Sequence, residues 1–413
     1  MEKLLDKYTL ITGESIIHHL RQLSKPLKGK KVVHVNSTRV GGGVAEILNK
    51  LVPLMNDLDI ETTWEVISGD PAFYQCTKSF HNALQGNSVE ISENLLKAYE
   101  ETNQRNMEQL KPKLKDADLV IIHDPQPAPF LSMCTERTGK WIWRCHIDAG
   151  KPYRPVWKYL RKFVEGYDAS IFSLLDFSQR LSHPQYLLAP SIDPLSDKNI
   201  DLKKSEINKV YDEFNIDPDR PLVSQISRYD RFKDPIGVIH AYKLAKQFIP
   251  DLQLVLAGGG ATDDPEGETV LNEVYAATDK DEDVHVLLLP SDAHRTINAL
   301  HRASDIVLQK SVREGFGLTV TEGMWKGKPV IGGNTGGIRL QVFNHHTGFL
   351  VDTPEGAALR MRYLFYNKEK LMEMGKKAHQ FILENFLITR HLREYLTLMI
   401  AVLHGRQNRI ELN

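Results

Sequence analysis

The sequence predicts an α/β protein built from two doubly wound, Rossmann-like domains that face each other across a cleft. Three observations carry this expectation. At 413 residues the chain exceeds what one hydrophobic core normally serves, so two domains of similar size are expected. Short apolar runs alternate with helical patterns from residue 32 to 173, and the alternation restarts at 222; strands joined by helical crossovers make parallel sheets. Glycine-rich and charged clusters fall at the carboxyl ends of those runs, at 39–44, 124–127, 146–148, 228–233 and 314–322, where open α/β sheets bind ligands.

Composition narrows the class. Hydrophobic residues make up 41% and charged residues 25%, an ordinary soluble balance. A net charge of −1 provides no basic field for nucleic acid. The three cysteines, Cys76, Cys134 and Cys145, show no CxxC spacing, so neither a structural zinc nor a disulfide framework is expected; Cys145 reads as a small core residue. No apolar stretch is long enough to span a bilayer, and MEKLLDKYTL lacks the basic-then-apolar order of a signal peptide. A cytoplasmic protein without a membrane partner is the expectation.

In the first half, Ile16, Ile17, Leu20 and Leu23 share a helical face. Val32–Val35 reads as a buried strand, followed by the loop Asn36–Val40, the glycines Gly41, Gly42 and Gly43, and a helix from Val44 to about Leu58. Strand, glycine loop and helix form the layout of a phosphate-binding first turn, although the spacing is neither GxGxxG nor a P-loop, and a tight turn needing positive φ explains the glycines equally well. Strand Glu61–Ile67 and helices over 72–84 and 92–112 come next. Strand Asp118–Ile122 ends in His123-Asp124-Pro125-Gln126-Pro127, with Asp124 facing a ligand, capping a helix, or doing both, since a cap can present its second oxygen. Strand Trp141–Cys145 ends in His146-Ile147-Asp148. His-x-Asp suggests a metal pair only if a third ligand is near, and none is visible in sequence; an imidazole donating to a sugar hydroxyl is preferred. A helix near 153–165 and strand Ala169–Ser173 lead to the proline-bearing stretch 188–195 and the highly charged 196–220, the best domain boundary.

In the second half, strand Leu222–Ile226 delivers Arg228 and Lys233 beside a helix beginning at Pro235. Two cations at a helix N-terminus suit a diphosphate; the alternative is a pair of surface cations matched to Asp230 and Asp234. Leu252–Ala257 is a strand followed by the glycines 258–260, and Val284–Leu289 a strand followed by a helix over about 292–302. Strand Asp305–Gln309 delivers SVREGFGLTVTEGMWKGKPVI at 311–331, read as loop, helix and strand. There Glu314 and Glu322 bracket Gly315-Phe316-Gly317-Leu318-Thr319, whose backbone N–H groups at a helix start favour an anion. Carboxylates for hydroxyls and amides for phosphate suit a nucleotide-activated sugar. Gly332–Gly337 reads as a mobile loop, 347–351 as a last strand, and 354–366, 368–385 and 388–404 as helices. The expected domains are 1–195, with the C-terminal helix of about 388–413 packed back on it, and 215–387.

Arg228 with Lys233, followed by Glu314 and Glu322 with seven residues between them, resembles the donor site of retaining family-four glycosyltransferases of the GT-B fold. A closer likeness covers nearly the whole chain. VHVNSTRVGGGVAEIL, FHNALQG, HDPQPA, WRCHID, PSIDPLS and REGFGLTVTEGMWKGKPVIG resemble the trehalose synthase family, the trehalose glycosyltransferring synthases. That family joins glucose from a nucleoside diphosphate glucose, such as ADP-glucose or UDP-glucose, to free glucose.

The resemblance implies roles for the matching positions. Arg228 and Lys233 clamp the diphosphate and stabilise the leaving group, and Glu322 holds the ribose. Glu314 and the amides from Gly315 through Phe316, Gly317, Leu318 and Thr319 hold sugar hydroxyls and phosphate. His146 reaches the donor glucose, and Gly42 and Gly43 let the N-terminal loop approach. Asp124 and Gln126, with Val44 and Asp148, lie on the acceptor side. No tightly bound cofactor and no resident metal are implied, magnesium entering only as a stimulant, and a homodimer is expected. The segment HDPQP departs from the His-Asp-Tyr of trehalose-6-phosphate synthases, which weakens the case for a phosphorylated acceptor. The competing readings are a trehalose phosphorylase using inorganic phosphate, a retaining glycosyltransferase with another acceptor, a sugar-nucleotide sensor, and an oxidoreductase at 41–43, which lacks the required glycine spacing.

Overall fold

The computed structural model describes residues 3–39, 42–259 and 265–404. The chain divides into two compact units, one running to Pro190 and including the helix Ile388–His404, the other Ser191–Leu387.

The first unit holds a six-stranded parallel sheet of β1 (Lys31–Asn36), β2 (Glu61–Val66), β3 (Leu119–His123), β4 (Lys140–Arg144), β5 (Ala169–Phe172) and β6 (Gln185–Leu187), in the order β2-β1-β3-β4-β5-β6. Helices on both faces bury the central strands, which explains why β3 and β5 are buried at every position and read as continuous apolar runs. The chain reverses its direction of progress between β1 and β3, the point at which crossover loops splay apart. The helix Ile388–His404 packs on helices Glu14–Ser24 and Gly43–Asp57, with Leu392, Tyr395, Leu396 and Met399 buried.

The second unit repeats the plan with β7 (Leu222–Ile226), β8 (Gln253–Gly258), β9 (Val284–Leu288), β10 (Ile306–Gln309), β11 (Val330–Gly333) and β12 (Gly348–Val351), in the order β12-β11-β10-β7-β8-β9. Alternate side chains enter opposite cores, as the two-residue period of a strand requires. Val223, Leu254 and Leu256 join a core with Val238, Tyr242 and Met361. Leu222, Ile226, Val255 and Ala257 join another with Val210, Ile216 and Leu300. Here the switch point lies between β7 and β10.

Two expectations are corrected. The charged stretch 196–220 is more than a linker: it carries the helix Lys204–Phe214 and belongs to the second unit. Glutamate at the third helical position closes on the Lys203 backbone, and Val210 supplies the apolar anchor, so charge on one face hid a helix. The segment 332–337 is not one open loop. Gly332 and Gly333 are buried strand residues, and Gly336 begins a 3-10 turn, Gly336–Leu340, whose first three residues are buried. Their glycines exist for close packing: a Cβ on Gly333 would lie 2.0 Å from Ser311 O, and one on Gly336 1.6 Å from Glu314 O.

Candidate active site

In the second unit the candidate site forms at the switch point. The buried strand β7 ends at Ile226, and the chain turns through Arg228 into a 3-10 turn, Arg231–Lys233. Asp230 caps that turn, its Oδ1 accepting from Phe232 N at 2.7 Å. Asp234, at φ 50°, caps the helix Pro235–Lys246 by accepting from Gly237 N at 3.1 Å, with proline at the first helical position. Its other oxygen takes the Lys310 ammonium. Gln225 ties the two loops together: its Nε2 donates to Lys233 O at 3.0 Å, and its Oε1 accepts from Lys310 N at 3.0 Å.

Lys233 is thereby aimed at the loop after β10. Its Nζ donates to Glu314 Oε2 at 2.6 Å. The same oxygen accepts from Ser311 Oγ at 3.1 Å and lies 3.4 Å from Gln309 Nε2. Thr319 Oγ1 donates to Gln309 Oε1 at 3.0 Å. Lys233, Glu314 and Thr319, expected in one donor site, therefore form one hydrogen-bonded cluster. Gln309, Gln225 and Lys310, which complete it with Ser311, carry no motif of their own; their signal was only their place at the end of a strand.

Gly317 adopts φ 85° and ψ 66° before the helix Leu318–Trp325, which has no side-chain cap. Its early N–H groups retain the anion-attracting end of the helix. Phe316 is buried, its ring 5.5 Å from that of Phe386, so only its backbone can face a ligand. Gln341 Nε2 holds Phe316 O at 2.8 Å. Arg228 extends outward, its side chain 66% exposed, with Nη2 3.4 Å from Asp230 Oδ2. Glu322 is 3% exposed, and Lys198 Nζ lies 3.9 Å from its Oε1. Lys326 nearby is pushed down to about 7 by burial, with Nζ donating to Asn199 Oδ1 at 2.8 Å.

In the first unit, Asp124 sits at φ 63° after β3. It caps no helix, which corrects the alternative given to it: the short helix Phe130–Met133 is preceded by Pro129, and Asp124 Oδ1 instead accepts from His146 N at 2.7 Å. Burial raises its carboxyl to about 7, opposed by that N–H and by Arg144. The next turn is held by the helix Glu93–Leu114, where Tyr99 OH donates to Pro125 O at 2.6 Å and Asn103 Nδ2 to Gln126 O at 3.0 Å. Gln126 Oε1 is buried without a hydrogen-bond partner among the described residues. His146 lies beside Asp124 after β4, its Nε2 3.0 Å from His123 Nδ1. Asp148 turns away into its own loop, accepting from Gly150 N at 3.0 Å. Gly42, at φ 81°, starts the helix Gly43–Asp57, in which Val44 is half-buried; Val40, Gly41 and Gly260 lie outside the described residues. Among the described residues no group of three or more histidine, cysteine, aspartate or glutamate side chains is placed to hold a metal ion, and no helix is long and apolar enough to cross a membrane.

Residues 34–179 match the family described as "Trehalose synthase, N-terminal domain", and residues 207–381 match "Glycosyl transferases group 1". A solved trehalose-phosphate synthase (UDP-forming) from Burkholderia xenovorans superposes with a TM-score of 0.72 at 12% identity, over 91% of this chain and 100% of that one, and so shares its fold. Two parallel six-stranded sheets with these matches define a glycosyltransferase of the GT-B fold. The chain is 46% identical over 401 residues to the trehalose synthase of Thermococcus litoralis, covering 96% of this chain and 97% of that protein. It belongs to the trehalose synthase family. The trehalose phosphorylase of Pleurotus pulmonarius is more distant, 27% identical over 463 aligned positions, with 99% of this chain and 62% of that protein covered.

Proposed function

We propose that this glycosyltransferase makes α,α-trehalose by retaining transfer of glucose from a nucleoside diphosphate glucose to free glucose. The observation that carries the reading is the near full-length likeness to a trehalose synthase. The cluster around Lys233 supports it. Arg228 and Lys233 meet a diphosphate at the switch point of the second sheet, beside the uncapped helix start at Leu318. Negative charge grows on the leaving diphosphate as the glycosidic bond breaks, so cations fixed there stabilise the transition state more than the ground state.

A retaining glycosidase needs one carboxylate as nucleophile and a second as acid. Glu314 is held at its Oε2 by Lys233 and Ser311, and we assign it no nucleophilic role. It serves as a ligand for the glucosyl hydroxyls, and the departing phosphate takes the acceptor proton on the same face. Glu322 holds the ribose. His146 donates to the donor glucose, while Asp124 and Gln126 hold the acceptor, the orphaned Gln126 Oε1 being a ready hydroxyl acceptor.

Product chromatography with ADP-, UDP- and GDP-glucose against glucose and glucose 6-phosphate tests the reading. Trehalose from free glucose supports it; trehalose 6-phosphate alone overturns the acceptor. The second reading, a phosphorylase, is favoured by the likeness to the Pleurotus enzyme across 99% of this chain. Trehalose breakdown by inorganic phosphate without a nucleoside diphosphate would establish it instead.

A further inference from the structure

Three histidines of the first unit form a line that the proposed chemistry does not use in full. His34 is fully buried on β1, His123 is buried at the end of β3, and His146 follows β4 half-buried. His34 Nδ1 lies 3.0 Å from His123 Nε2, and His123 Nδ1 lies 3.0 Å from His146 Nε2. The rings stack, each successive pair of centroids 5.3 Å apart. At the inner end, His34 Nε2 is buried with no hydrogen-bond partner among the described residues, and the Tyr395 ring meets His34 edge-on.

A neutral imidazole has one N–H and one lone pair, so each bond in such a line decides the next. Two directions are possible. In one, His34 donates to His123, His123 donates to His146, and a lone pair is left on His34 Nε2. In the other, His146 donates inward and an N–H is left unmet in the core. Orphaned buried N–H groups are rarer than under-satisfied acceptors, which favours the first direction. Burial holds His34 at about 3, and burial, with the neighbouring imidazoles and Arg144 after it, holds His123 well below the ordinary imidazole value. Burial and then Arg144 do the same for His146. No ring in the line carries a second proton at neutral pH.

We propose that His34 and His123 are positioning residues for His146: their chain of hydrogen bonds fixes its ring and places its proton on Nδ1, as a donor to a hydroxyl of the bound sugar. The direction of the chain rests on the unpartnered His34 Nε2, which a lone pair tolerates better than an N–H; the sugar hydroxyl rests on the donor-glucose role given to His146 above.

The test uses the full-length protein labelled with 15N-histidine. Long-range 1H–15N correlation spectra distinguish the two tautomers, with His146 assigned by loss of its signals in His146→Gln. A protonated Nδ1 and bare Nε2 on His146 at pH 7.5 supports the proposal; a protonated Nε2 overturns it. This measurement needs no core variant. His123→Phe removes the donor to His146 Nε2, so His146 shifts toward the Nε2–H form and kcat falls roughly five- to thirtyfold, the worth of one misdirected hydrogen bond, with KM within about twofold. His123→Gln, whose amide donates to the same nitrogen, restores the Nδ1–H form and most of the rate. A shifted tautomer with unchanged kcat overturns the positioning role. Failure of the trehalose reading is seen separately, as no trehalose from any donor, while the spectra still decide the chain.

Discussion

Lys233 Nζ donates to Glu314 Oε2 at 2.6 Å, across 81 residues of sequence, joining the loops after β7 and β10. Both side chains are largely withdrawn from water, at 17% and 9% exposure. Removing one partner of such a pair strands the other charge, at a cost of about 3 kcal/mol. Lys233→Ala should therefore lower the urea midpoint as well as abolish transfer. Lys233→Ala combined with Glu314→Gln should be less destabilised than the sum of the single variants, because no lone charge remains. Additive losses in urea titrations would show that the pair does not couple the loops.

Arg228 is expected to behave differently. It is 66% exposed, and its contact to Asp230 is long. Arg228→Ala should change stability by under about 0.5 kcal/mol, as exposed substitutions do. If Arg228 stabilises the leaving diphosphate, kcat should drop by roughly a hundred- to a thousandfold. Thermal melting and steady-state kinetics on the same preparation separate the two effects, and full activity in the variant would remove Arg228 from the clamp.

Local rules made much of the fold legible. Helices Pro354–Tyr366 and Lys368–Asn385 agree with their expected bounds, the first because Thr353 and Pro354 mark its start and Thr353 Oγ1 accepts from Gly356 N. The strand ends that hold Lys233, Glu314, Asp124 and His146 were also visible, as apolar runs breaking into polar clusters. What stayed hidden depends on distant partners. His34 lies in an apolar strand 89 residues from His123, and nothing in its neighbourhood marks it as more than a core residue. Lys198, in a charged stretch, gave no sign that it would reach Glu322. The glycines 332–337 looked like flexibility because a sequence cannot show which backbone will press against them.

Gly336 makes that last point testable. It has φ 45°, and a Cβ there would overlap Glu314 O at 1.6 Å. Gly336→Ala must push the backbone of the 314–317 loop aside, which for such an overlap should cost about 2–4 kcal/mol. The displaced loop carries Glu314, so transfer should fall even under conditions where the variant remains folded. By contrast, Gly259→Ala, where the nearest atom to the new Cβ is Leu289 O at 3.6 Å, should be mild. Equal denaturant midpoints for the two variants would refute the packing argument.

Asp124 should make the first unit's stability fall with rising pH. Its folded pKa is raised, by burial above all, to about 7 from 3.8, against the His146 N–H and the Arg144 guanidinium, which lower it. A carboxyl raised in the folded state binds more protons folded than unfolded between those two values, so its contribution is fully present below the unfolded pKa and is lost as pH rises through the folded one. Asp124→Asn keeps an oxygen to accept from His146 N at the place where the carboxylate accepts it at 2.7 Å, and it cannot ionise. Relative to wild type, the variant should gain with each step from pH 5 to pH 7 and level off by pH 8, by a few degrees in all, about 3–6 °C. Melting curves at pH 5, 6, 7 and 8 read the difference directly. A wild-type advantage that grows with pH would mean that Asp124 is stabilised as the anion, with Arg144 outweighing burial.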